Sequence, residues 1–275
     1  MNVWKVRLLS LSFVLITAAS GAQAIAQDKI RLGGTGTGSL LLQHLVDTYA
    51  KSHPSVLASV VMPPLSSSGG LRALAAGSIQ IAVVSVQPRP EDTGTLKITT
   101  WVRTPFVFTG RNVAAGTNLT IGQIADIYAG RLTRWPDDTQ IRLVTRTERE
   151  SDTKILRSLS PVMDAAVTLA TKRIGIPFAE NDVDNQQLLE RTNGSFGAIA
   201  LGQLLLSESP LKPIDLEGAS PSPDNLRKGI YRPEKILFLV ISPTASEAAF
   251  ELFRYLQSPE TLQMIERYGF IPAKR

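Results

Sequence analysis

The chain has 275 residues, a formal net charge of +5, two histidines and no cysteine. The lack of cysteine excludes disulfides, thiolate metal sites and a lipid anchor through a cysteine. The charge excess is scattered rather than blocked, and aromatics do not alternate with basic residues, so there is no nucleic-acid footprint.

The first residues have the layout of a cleavable export signal. Lys5 and Arg7 precede an uncharged apolar run over 8–19, and Ala22-Gln23-Ala24 and Ala24-Ile25-Ala26 both fit a small-residue cleavage site. The run is short for a bilayer-spanning helix. Residues 1–26 are therefore set apart as a leader, and about 250 residues remain, enough for a large core or two lobes.

The mature part alternates β-branched runs with helical patterns, the rhythm of an α/β protein with mostly parallel strands. A strand over 29–32 leads through a glycine-rich loop, 33–39. Leu41, Leu42, Leu45, Val46 and Tyr49 then share one helical face. A strand over 56–62, a loop over 63–70, a short helix over 71–76 closed by Gly77 and an apolar strand over 79–84 follow. The extended stretch 101–109 reads as a crossing between lobes. Thr120 caps a helix over 120–129 that ends at Gly130. A strand over 141–145 precedes a long helix from Ser151 to about Val167. Residues 197–201 form a short strand, and 220–224, with two prolines, are loop-like. A strong strand over 236–241 leads to a helix boxed by Thr244 and Glu247. Ser258-Pro259 opens the last helix, which Gly269 stops.

Catalytic and metal-binding patterns are missing. His44 and His53 lie in no ligand cluster, there is no G-x-S-x-G elbow, and the glycine loop fits neither a dinucleotide fingerprint nor a P-loop. This indicates a binding protein rather than an enzyme, with no cofactor and no metal. Three loops place Ser, Thr or Gly before a helix: Thr37-Gly38-Ser39, 66–70 and Ser151-Asp152-Thr153. Such residues ordinarily cap helices. Three of them after strands also make a set of neutral donors suited to an oxyanion, with Arg146 and Arg149 nearby for a charged contact.

These loops resemble those of the phosphate-binding periplasmic proteins of ABC importers, within the two-lobed solute-binding superfamily. The stretch Tyr128-Ala129-Gly130-Arg131-Leu132-Thr133-Arg134-Trp135 is similar to that family's F/Y-x-G-x-x-T-x-W, and Ser67-Ser68-Gly69-Gly70-Leu71 to its serine-rich loop. The tail, from Phe253-Arg254-Tyr255 to Gly269-Phe270-Ile271-Pro272, also fits. The resemblance implies a two-lobed clamp, each lobe a mostly parallel sheet flanked by helices. Lobe 1 would comprise 27–107 and a return segment, 236–275, with lobe 2 over 108–235. It also implies a periplasmic, monomeric carrier of phosphate or a similar small oxyanion, working with an ABC permease in the inner membrane.

The ligand residues it carries over are Thr37, Gly38, Ser67, Ser151, Asp152 and Thr153, with Arg146 or Arg149 as the arginine; Ser39 and Ser68 of the same loops and Ser85 complete the candidate set. Ser85 stands where the family has a carboxylate, and Asp152 where it has glycine. Asp152 either points away to cap its helix or takes over the proton-accepting role. A carboxylate facing an anion at 4 Å is repelled by roughly 4 kcal/mol at an effective dielectric of 20. The departures leave a second reading open, a sensing or interaction module with an altered ligand site.

Overall fold

The computed structural model describes residues 29–89 and 94–273. The expected leader, 1–26, lies outside them. Strand β1 (Lys29–Gly34), helix α1 (Gly36–Ser52), strand β2 (Leu57–Val60), helix α2 (Ser66–Ala75) and strand β3 (Ile81–Val84) form the first βαβαβ run. β1 pairs in parallel with both β2 and β3. The five apolar residues that share a face of α1 are all buried. Each fully buried leucine among them contributes about 2 kcal/mol of transfer free energy.

The long strand β4 (Lys97–Gly110) joins two cores. Its first part pairs antiparallel with β12 (Glu234–Ile241), which in turn lies against β3. Its last part, Phe106 to Thr109, pairs antiparallel with β9 (Ser195–Ala200). Trp101 and Val102 belong to the core beneath β1, β3 and α1, whereas Phe106, Val107 and Phe108 belong to the other. Two cores strung on one strand make a two-lobed, mixed α/β architecture. The parallel pairs lie to either side of an antiparallel crossing.

The second core is built from β5 (Asn118–Leu119), α3 (Ile121–Ala129), β6 (Arg142–Leu143), β7 (Thr145–Arg146), α4 (Ser151–Ser158), α5 (Pro161–Lys172), β8 (Phe178–Ala179), α6 (Asp182–Arg191), β9 and α7 (Leu201–Leu206). Strands β10 (Lys212–Pro213) and β11 (Asp215–Leu216) and helix α8 (Pro223–Lys228) lead back to β12. Helices α9 (Glu247–Tyr255) and α10 (Pro259–Glu266) and strand β13 (Ile271–Pro272) close the first core. No helix of the described residues is long and apolar enough to cross a membrane.

Several boundaries differ from the sequence expectation. The long helix from Ser151 breaks, because Pro161 cannot continue it and Ser160 caps a new one by accepting from Met163 N. The 63–70 loop becomes helical at Ser66. The cap of α9 is Ser246, which accepts from Ala249 N, rather than Thr244. The stretch over 220–224 holds the cap and first residues of α8, with Ser222 accepting from Asn225 N and Pro223 at the first turn. Thr120 and Gln123 form the full capping box of α3, and Gly130 ends that helix as expected.

Candidate functional site

The glycine-rich loop after β1 is tightly folded. At Gly34 φ is +143°, and an added Cβ would lie 1.8 Å from the Val83 carbonyl oxygen, so only glycine carries β1 past β3 into α1. Thr35 occupies the N-cap of α1, yet its side chain does not cap the helix. Its hydroxyl donates instead to Asp182 Oδ2 at 2.9 Å. The Thr37 N–H donates to the same oxygen at 2.8 Å, and the Thr37 hydroxyl lies 3.2 Å from it and 3.0 Å from Gln203 Oε1. A Cβ on Gly36 would fall 2.6 Å from Asp182 Cβ, so glycine there admits the carboxylate.

Asp182 is the first residue of α6. Asn181 caps that helix, accepting from Val183 N and Asp184 N, and so frees the Asp182 side chain for another partner. The other carboxylate oxygen, Oδ1, accepts from Arg146 Nη1 at 2.7 Å and Lys235 Nζ at 3.1 Å. Lys235 also pairs with Asp152 Oδ1 at 2.7 Å. Arg146 reaches Asp152 Oδ2 at 3.2 Å and Glu150 Oε2 at 2.9 Å. The Lys235 side chain is 0 % exposed and the Asp152 and Asp182 side chains 2 % each, so these charges interact with little water between them.

Mutual pairing overcomes burial in this cluster. Burial alone would raise the Asp182 carboxyl, but Lys235, Arg146 and the Thr37 N–H hold it well below the ordinary carboxylate range. Burial would lower Lys235 and Arg146, and the carboxylates beside them raise both. Glu150 goes the other way. Desolvation pushes it up, Arg146 opposes, and Asp182 and Asp152 add to the rise. Two buried cations thus face two buried carboxylates, with Glu150 at the edge.

The second half of the site is neutral. Ser67 Oγ accepts from Ser85 N at 3.0 Å and lies 3.3 Å from Ser85 Oγ. The Ser85 hydroxyl donates to Ser151 Oγ at 2.6 Å, and Ser151 donates weakly to Asp152 at 3.4 Å. This hydroxyl chain runs from the start of α2 to the start of α4, from one core to the other. Beside it opens a groove of ≈ 580 Å³, lined by Ser66, Ser67, Ser68, Arg72, Arg149, Glu150, Ser151 and Lys154 among others.

The residues singled out from the sequence separate accordingly. Thr37, Arg146 and Asp152 meet in the charged cluster, and Ser67, Ser85 and Ser151 in the hydroxyl chain. Of the two arginines left open, Arg146 is central and buried, while Arg149 is exposed in the groove with Ser68. Asp152 does not cap α4; it pairs inward with Arg146 and Lys235. Thr153 donates to the Thr147 carbonyl at 2.8 Å and fastens the turn before α4. Gly38 packs against Val83. Ser39 is fully buried, and its hydroxyl has no hydrogen-bond partner. Sequence reasoning missed Thr35, Asp182, Gln203 and Lys235. A signal for Lys235 existed: at period 2 it falls in line with Leu237, Leu239 and Ile241 on β12, all buried.

A family model described as a PBP superfamily domain matches residues 18–258. The chain belongs to this superfamily. Among curated proteins no sequence matches. Solved structures are similar in fold over nearly the whole chain. A Clostridium perfringens protein assigned to phosphate ABC transport, with phosphate bound, superposes with a TM-score of 0.73 at 16% identity, over 90% of this chain and 100% of its own. An ABC-type phosphate transport receptor from Vibrio cholerae gives 0.61 at 24% identity, over 89% and 99%. PfluDING, a high-affinity periplasmic phosphate-binding protein, gives 0.68 at 13% identity, over 89% and 90%. At these identities the likeness concerns the fold, and it bears out the two-lobed PBP-like architecture expected from the loops.

Proposed function

We propose that this PBP superfamily chain is an exported solute-binding protein that captures phosphate or a similar small oxyanion and delivers it to an ABC-type importer. The observation that carries this is convergence. Helices α1, α2 and α4 start within one hydrogen-bonded region, with Thr37, Ser67 and Ser151 at their first turns and Arg146 between them. Helix starts of this kind offer unpaired N–H groups and partial positive charge to an anion. The similar structures that hold or transport phosphate support the same ligand class.

In this proposal residues 27–107 and 236–275 form one lobe and 108–235 the other. They open and close about the crossing of β4 and β12, exposing the cleft to cargo and then to the permease. Residues 1–26 direct the chain to the periplasm, where it works as a monomer, without cofactor, metal or nucleic acid. Its role is binding rather than catalysis, a reading supported by the pairing of both buried carboxylates, Asp152 and Asp182, with cations. Arg149, Ser68 and the groove receive cargo from solvent.

Calorimetric titration of the mature protein with phosphate and sulfate tests the proposal. At about 100 times its Kd, a cargo anion should stabilise the fold by about 2.7 kcal/mol. No heat and no thermal shift with any oxyanion would sink it.

A further inference from the structure

The donors that should meet a cargo anion are already in use. The Thr35 hydroxyl, the Thr37 N–H and the Thr37 hydroxyl converge on one oxygen of Asp182, and Arg146 and Lys235 hold the other. Helix N–H and hydroxyl groups on one oxygen with two cations on the other is the bonding pattern of a captured anion. The carboxylate arrives from α6, in the second core, while Thr35 and Thr37 begin α1 in the first. Gly36 makes room for it. The two buried cations, Arg146 and Lys235, are already matched by Asp152 and Asp182, with Glu150 as a third carboxyl group at the edge, so a further anion beside Asp182 would bury uncompensated charge. Among the buried atoms of the described residues that lack a hydrogen-bond partner are one donor of this cluster, Arg146 Nε, and one of the α1 start, the Ser39 hydroxyl.

We infer that Asp182 is a built-in anion occupying a carboxylate-sized seat at the start of α1, and that it determines which free anions the cleft accepts. Cargo enters this seat only by displacing the Asp182 carboxylate. The chain's own side chain therefore competes with every small oxyanion and every short carboxylate, and the same contacts hold the lobes together when no cargo is present. A seat filled nine-tenths of the time weakens a free anion about tenfold. The inference rests on the proposal that this cleft binds anions, and the two fail in different ways.

The test compares the wild-type chain with Asp182→Asn and Asp182→Ala, titrated with inorganic phosphate and with formate. Asp182→Ala should bind phosphate at least about tenfold more tightly than wild type. It should also gain formate-dependent thermal stabilisation that wild type lacks. Asp182→Asn keeps the side-chain volume and should move the same way by less; it decides the matter if the alanine variant does not fold. Phosphate binding no tighter than wild type in folded variants, as judged by circular dichroism, overturns the inference. If wild type binds phosphate equally well, the proposed function survives that result. If wild type binds no oxyanion while the variants do, the inference stands and the proposed function falls.

Discussion

The two halves of the site solve the same problem with different chemistry. At the start of α1 the donors are satisfied by a full charge, the Asp182 carboxylate, which is itself paired with Arg146 and Lys235 and through them with Asp152, all buried. Between α2 and α4 the polar contacts are made by neutral hydroxyls, Ser67, Ser85 and Ser151, of which Ser67 and Ser151 line an open groove. The charged half is expensive to disturb, because each partner removed leaves an uncompensated ion in a dry place. The neutral half is inexpensive, because a lost hydroxyl leaves partners that groove water reaches. The comparison separates rigidity from access within one cleft.

The strongest way to break it is Lys235→Met. This substitution roughly keeps the volume but strips Asp152 and Asp182 of a shared cation. Unfolding free energy should fall by about 3–5 kcal/mol, the cost of breaking a buried pair from one side. Urea denaturation followed by circular dichroism measures this. A loss below about 1 kcal/mol would mean that water enters the cluster and that the halves are alike.

Acid sharpens the contrast. Folded Asp182 titrates well below an ordinary carboxylate, so on acidification the unfolded chain takes the proton first. The stability owed to that pairing is whole above the ordinary carboxylate range, about pH 4, and is lost as pH falls through the depressed value. Glu150 has the opposite sign. Its folded value is raised, so the folded chain takes that proton first and gains stability as pH falls between the raised and ordinary values. Stability against pH should therefore rise on the mildly acidic side and then drop. Glu150→Gln should remove the rise and keep the drop, as read from urea melts across the series.

The smallest effect is expected from Ser85→Ala. It removes the middle of the hydroxyl chain and should cost about 1 kcal/mol, unchanged by acid because no member of the chain titrates in that range. A pH-dependent loss would tie the chain electrically to Asp152 and merge the two halves.

Local patterns made most of the fold legible. The buried face of α1, the capping box at Thr120 and the apolar strand β12 all follow from periodicity and end chemistry within a few residues. The break at Ser160-Pro161 carries the same signature as Ser258-Pro259, so it was readable from the same rule. Helix α6 is different. Its stretch, Asp182–Arg191, is mostly polar and charged, and it presents only a weak apolar stripe. The seating of Asp182 was not legible at all. Asp182 meets Thr37, 145 positions away, and Lys235, 53 positions away, and no local pattern encodes such pairings. Arg146 was within reach because its neighbours resemble a known loop; its carboxylate partner on α6 was not.

The long strand β4 has a consequence for the order in which the molecule forms. β3 and β4 follow one another along the chain, yet in the sheet they are separated by β12, which is made much later. The first core therefore lacks parts until β12 and the segments after it, through Phe270, have been made, while the second has its parts by Tyr231. The lobe that begins the sequence is the one that finishes last. The insertion of β12 carries Lys235 to Asp152 and Asp182, so the ion cluster is completed only by a strand late in the chain.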